Sequence, residues 1–209
     1  MTDWQAACEA HVLTAGGLDG AHDLGHLRRV WRQAQIIARD EPGADAEVLQ
    51  VACFLHDLVN LPKNHPDRAS ASRRSADAAV AWLGAQGFAP GRLAAVHHAI
   101  LTHSFSARIA PATPEARILQ DADRLEALGA IGIARMFHVA GALGGALFDA
   151  ADPMALGRTL DDKAYALDHL QVKLFGLVDT MQTATGRAIA TERAEWMASF
   201  RTRLLSEIG

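Results

Sequence analysis

The apolar stretch Val48, Leu49, Val51, Ala52, Phe54 and Leu55 closes on a polar pair, His56-Asp57. Its apolar residues recur at helical spacing, and Pro42-Gly43 followed by the N-cap candidate Asp45 marks where the helix begins. Leu61-Pro62 stops it. Adjacent residues lie about 100° apart around a helix, so His56 and Asp57 can approach one ion from neighbouring directions. The same helical spacing recurs along the chain. Half the residues are hydrophobic and only 6% aromatic, Ala and Leu dominate, and alternating β-branched runs are missing, so the chain reads as all-α.

Helices are expected near residues 3–14, 22–39, 45–58, 68–85, 90–103, 114–128, 130–139, 161–180 and 186–207, separated mainly by Gly and Pro. The last reads through Ile189, Arg193, Trp196, Phe200, Leu204 and Ile208, an i, i+4 apolar stripe interrupted by one Arg. A chain of 209 residues can bury one good core. The expectation is therefore a single-domain helical bundle over 1–209, with a metal-binding core at about 22–128 and C-terminal helices 161–207 packed on it. The glycine-rich segment 141–157 is long and irregular. It reads equally as a binding loop or lid and as a structural connector.

His26 stands near the start of the second expected helix, and Asp123 in a third helical pattern with Ile118, Leu119, Ala122, Leu125 and Leu128. His26, His56, Asp57 and Asp123 together supply two imidazoles and two carboxylates, which suit a borderline divalent cation: Mn, Fe, Ni, Zn or Mg. The set leaves room for water and substrate beside the protein ligands, as metal-assisted hydrolysis requires.

Three motifs, H-x-x-R-V (His26, Arg29, Val30), His56-Asp57 and D-A-D-R-L (Asp121 to Leu125), make the sequence similar to the HD-domain metal-dependent phosphohydrolases. It resembles most the small single-domain bacterial HD proteins, which also carry segments like Leu61-Pro62-Lys63-Asn64, His103-Ser104-Phe105-Ser106 and Asp161-Asp162-Lys163. The likeness covers roughly residues 20 to 205. It implies one divalent ion per chain on His26, His56, Asp57 and Asp123, and a nucleotide or other small phosphate compound as substrate.

Ten histidines make a lone His poor evidence. His22-Asp23 is a second His-Asp pair, but it precedes a helix, and Asp23 reads as an N-cap. Asp121 points to another face than Asp123 and reads as a supporting carboxylate. His97, His98 and His103 lie where two-metal HD subfamilies find extra ligands; the spacing here favours one metal, with His103 contacting substrate or the metal's water. The anion-binding candidates are Arg29, Lys63, Asn64 and Arg68, with Arg124 a further one; Arg supplies a planar fork for phosphate and Lys a mobile point charge.

Net charge −4 and pI near 6.2 argue against a broad nucleic-acid surface. Cys8 and Cys53 build no disulfide framework, and Cys53 reads as a buried small hydrophobe. The start of the chain lacks a signal-peptide pattern, and the stretch 140–151 is too short and glycine-rich to span a bilayer. A cytoplasmic location is expected; oligomeric state is not indicated. The favoured function is metal-activated attack of water on phosphorus, with Asp57 and Lys63 catalytic. The alternatives are a non-catalytic nucleotide-sensing module and, ranked third, a di-iron HD-type oxygenase.

Overall fold

A computed structural model describes residues 2–16, 20, 23–61, 65, 67–104 and 107–208. Its α-helices are α1 (Trp4–Ala15), α2 (Leu24–Ala38), α3 (Ala46–Leu55), α4 (Ala71–Ala85), α5 (Leu93–His103), α6 (Pro114–Leu125), α7 (Gly129–Ala142) and α8 (Ala184–Ile208). Among the described residues there is no strand, only one bridge between Ala146 and Tyr165, so the all-α expectation holds. The chain packs as two compact units, residues 1–123 and 124–209.

In the first unit α3 is the hub, packing against α1, α2, α4 and α5. Seven of its ten residues, Val48, Leu49 and Val51 through Leu55, are buried; a helix apolar around most of its circumference can only be an interior one. Asp45 caps it by accepting hydrogen bonds from the Glu47 and Val48 amides at 3.0 and 3.2 Å. The Asp45 amide in turn donates to the buried Glu115 carboxylate on α6 at 2.7 Å. Two more ties hold the opposite end. The Ser75 hydroxyl on α4 receives the Val59 amide at 3.0 Å, and the Gln120 amide on α6 donates to the Thr102 carbonyl of α5 at 2.7 Å. These bonds fix the ends of α3, α5 and α6 against one another.

Helix α3 stops at Leu55, three residues before the expected end. The His56 ring donates to the Cys53 carbonyl at 2.9 Å and so occupies an acceptor that helix continuation would need. Cys53 is fully buried as expected, and burial, with Asp123 adding, pushes its thiol well above the ordinary value; it is inert filling rather than a nucleophile.

The second unit departs further from expectation. Residues 161–180 do not form one helix. Asp161 accepts from the Lys163 and Ala164 amides at 3.0 and 3.2 Å, an Asx turn that competes with helix, and regular structure resumes only in short π and 3₁₀ segments, Leu170–Leu174 and Phe175–Thr180. On α8 the buried residues are Gly186, Ala190 and Met197, while Trp196 is 48% exposed. The apolar stripe is thus turned partly outward. Gly129 on α7 lies close against α8: its amide reaches the Met197 sulfur at 3.1 Å, and a Cβ there would stand 3.2 Å from the Arg193 side chain.

Segment 141–157 and its continuation to Asp168 form an ordered knot. Asp149 accepts from the Ala151 and Asp152 amides, and Asp152 from the Leu156 and Gly157 amides, all between 2.8 and 2.9 Å. Arg158 grips the buried Asp168 with two bonds of 2.6 and 2.8 Å. Breaking such a pair from one side strands a buried charge. Arg158→Ala should therefore destabilise the fold, since it leaves the buried Asp168 carboxylate without its cation. Urea melts followed by circular dichroism measure this as a lowered midpoint; an unchanged midpoint would class the pair with ordinary surface bridges.

Candidate metal centre

Four elements of the first unit deliver five side chains to one place. His26 lies in the first turn of α2, where Asp23 caps the helix by accepting the His26 amide at 2.7 Å; Asp23 is the N-cap that the sequence suggested. His56 and Asp57 leave the end of α3, His103 ends α5, and Asp123 lies in the last turn of α6. His26 and His56 are fully buried, whereas the Asp57 and Asp123 side chains are 20% and 27% exposed. The imidazoles form the floor and the carboxylates an open rim.

The contacts close a ring. His26 Nε2 is 3.7 Å from Asp57 Oδ2 and 3.5 Å from Asp123 Oδ1, and His56 Nε2 is 3.5 and 3.7 Å from the same two atoms. Ligand atoms about 2.0–2.2 Å from a common ion stand roughly 3.0–3.6 Å from their neighbours, so the ring has nearly the spacing of a coordination shell. Two overlapping trios come close enough to hold an ion: His26, His56 and Asp123, and His56, Asp57 and His103. His103 Nε2 stands 3.6 Å from Asp57 Oδ1, on the oxygen opposite to the one facing His26 and His56.

Backbone carbonyls set two of the rings. His56 Nδ1 donates to the Cys53 carbonyl at 2.9 Å and His103 Nδ1 to the Ile100 carbonyl at 2.6 Å. A carbonyl only accepts, so the hydrogen is on Nδ1 and a neutral ring turns its Nε2 lone pair into the site. His56 Nε2 is buried with no hydrogen-bond partner, an arrangement costly unless something occupies the ring centre.

The charges answer one another. Burial alone would lower the His56 pKa, but Asp57, Asp123 and the Cys53 carbonyl outweigh it and raise it to about 9. Burial likewise opposes ionisation of Asp57 and Asp123, yet the surrounding histidines, His56 foremost, hold both carboxyls well below the usual carboxylate range.

Of the remaining candidates, Asp121 is fully buried. His97 pairs with Asp77 at 2.8 Å, and His98 Nε2 accepts the Ala112 amide at 2.9 Å, so both have other work; His103 alone of these three reaches the ring. Arg29 lies beside Gly25, where a Cβ would meet its Nη1 at 3.3 Å and Asp23 Oδ1 at 3.1 Å. Arg68 donates to the Leu61 carbonyl, bridging the two ends of the segment after the dyad. Arg124 donates to the Thr180 carbonyl at 2.6 Å. Lys63, Asn64 and His22 lie outside the described residues. Helical periodicity could not single out His103, although it ends its helix as His56 does, with the same bond to the carbonyl three residues back.

The raised pKa of His56 has a measurable consequence. An ion taken by Nε2 must displace the proton that the ion-free ring holds below pH of about 9. Affinity for a divalent ion should therefore climb up to about tenfold per pH unit below 9 and level off above it. The opposite sign applies to the ion-free fold. The stability that protonated His56 gives is complete below about pH 6.5 and lost as pH rises through 9. Competition titrations against a chelator across this range measure the first; a flat affinity would show that His56 does not bind the ion.

Comparison with known proteins agrees with this geometry. The HD-domain pattern matches residues 23–128, which contain all five side chains. The uncharacterized protein YpgQ of Bacillus subtilis is 33% identical over 191 residues, covering 90% of this chain and 84% of the relative. The crystal structure of B. subtilis YpgQ in complex with ADP superposes with a TM-score of 0.76 at 32% identity, covering 98% of this chain and 97% of the other. An HD-superfamily hydrolase from Bacillus thuringiensis gives 0.73 at 28% identity, covering 97% and 95%. The chain belongs to the HD-domain family.

Proposed function

We propose that this protein is a metal-dependent phosphohydrolase for a small phosphate compound, with nucleotides as the first class to test. His26, His56, Asp57 and Asp123 hold one divalent ion per chain. The observation that carries this reading is the convergence of two fully buried imidazoles, His26 and His56, on the partly exposed carboxylates of Asp57 and Asp123 at 3.5–3.7 Å. The ADP complex of the similar YpgQ supports a nucleotide as the ligand class.

A divalent ion so held supplies Lewis acidity, polarising phosphoryl oxygen and making water acidic near neutrality. The chain's own residues do the rest. The two carboxylates leave their rim open, so substrate enters from that side. His103 presents Nε2 beside Asp57 Oδ1, where it can accept a hydrogen bond from water and orient it towards phosphorus. Asp57 is the catalytic carboxylate, and Lys63 meets charge building on the phosphoryl group. Arg29, Asn64 and Arg68 are the further substrate contacts; Arg68 also donates to the Leu61 carbonyl.

The test is purified protein with Mn or another divalent ion against nucleotides and sugar phosphates, with phosphorus NMR identifying the product. Metal-dependent release of phosphate or pyrophosphate is expected. Nucleotide binding without turnover of any substrate, at full metal loading, would make the protein a sensor instead. Asp57→Ala should lose both metal and activity. Lys63→Ala should keep the metal and lose roughly 30- to 1,000-fold in rate, the range for one transition-state charge contact. A fall in kcat would place its action on developing charge, and a rise in KM alone would place it on ground-state binding. Unchanged constants would make Lys63 an ordinary solvated lysine.

A further inference from the structure

We propose that residues 124–209 carry a second ligand site, in which Arg201 and Gln171 bind the carboxylate of a small organic monoanion whose apolar body fills an adjacent cavity. The cavity has a volume of about 230 Å³. This is smaller than the roughly 300–1,000 Å³ of sites for drug-sized ligands and equals the room of about eight waters, so a ligand of about that many heavy atoms fits. Every lining residue belongs to the second unit, and the residues proposed for the metal all lie in the first.

The walls define the chemistry. Pro153, Met154, Leu160 and Leu167 offer apolar surface. Two titratable side chains line the space, and they differ in state. Asp168 is already neutralised by the two bonds from Arg158 and also accepts the Asp161 amide at 2.7 Å. Arg201 has no acidic partner among the described residues. Its Nη1 donates to Gln171 Oε1 at 3.1 Å, and its guanidinium lies over the Phe175 ring at 5.0 Å. Both contacts orient the cation without cancelling its charge. With Gln171 Oε1 engaged, the amide nitrogen remains a donor. The cavity therefore offers a positive fork, a neutral donor and an apolar body, which together select an anionic head on a short hydrocarbon.

The cavity wall supports the same conclusion. Ala155 has φ of +52°, a left-handed conformation uncommon for a residue with a Cβ. Strain of this kind collects at ligand clamps, and here the Asp149 and Asp152 amide bonds hold it in place. The irregular segment that the sequence left open between binding loop and connector thus forms one side of a site.

Hexanoate is a suitable probe, with hexanol and acetate as controls for head and body. The full-length, metal-loaded protein carrying ¹³C-methyl methionine is titrated with each, and the Met154 signal is assigned from Met154→Leu. Hexanoate should shift the Met154 methyl saturably, and hexanol and acetate should bind at least tenfold more weakly. Arg201→Gln should weaken hexanoate at least tenfold while the other methionine signals stay in place, and Arg201→Lys should lose less. If Arg201→Gln moves those other signals, the comparison of Arg201→Lys, hexanoate and hexanol decides alone. No saturable shift at Met154, equal binding of hexanol and hexanoate, or hexanoate affinity independent of the residue 201 charge would each overturn the proposal.

Discussion

The hydrogen bond from the His56 ring to the Cys53 carbonyl does two jobs that the site needs at once. Helix α3 is buried on nearly every side, so a carbonyl left open at its end would cost about 1–3 kcal/mol. The ring satisfies that carbonyl, ends the helix there, and in the same act turns Nε2 towards Asp57 and Asp123. His103 repeats the device at the end of α5. Ligand orientation is thus a by-product of helix termination, and it depends on α3 being held by all the helices that pack around it.

Two histidines on the floor and two carboxylates on the rim make an electrostatic pocket that polarises in one direction. The imidazoles are sealed from water and depend on the carboxylates for compensation, while the carboxylates retain contact with solvent. Each carboxyl is held ionised by histidines, and the His56 pKa is raised by the carboxylates. A divalent ion held by these side chains would take over that role with more charge. This fit, together with the family resemblance, makes metal binding the natural use of the site.

The second unit is organised by local polar bonds as much as by apolar packing. Asp149, Asp152, Asp161 and Asp168 each accept backbone amides, and the Ala146–Tyr165 bridge adds backbone bonds, so much of the irregular backbone finds partners without helix. Arg158 pairs with Asp168, and Arg201 bonds Gln171 and lies over the Phe175 ring. Among the described residues no single helix is long and apolar enough to cross a membrane.

Much of the architecture was legible in the residues. Helical spacing located the eight α-helices to within a few residues, and Asp23 and Asp45 announced helix starts because capping is a local bond between a short carboxylate and amides two or three positions on. The pairing of His56-Asp57 with His26 and Asp123 came from motif order. Periodicity failed where bonding is not periodic. Residues 161–180 have a helical pattern, but Asp161 and Asp168 draw the backbone into turns. On α8 the pattern favoured large apolar residues, whereas the buried residues are Gly186, Ala190 and Met197, a choice made by the neighbours they meet in space. The approach of His103 to Asp57, the diversion of His97 and His98 to other partners, and the bond of Arg201 to Gln171 are all contacts between residues distant in sequence. Sequence by itself determined which chemical groups this chain carries and on which helices; only tertiary packing decided which of them face one another, because charge compensation and burial are properties of neighbours in space.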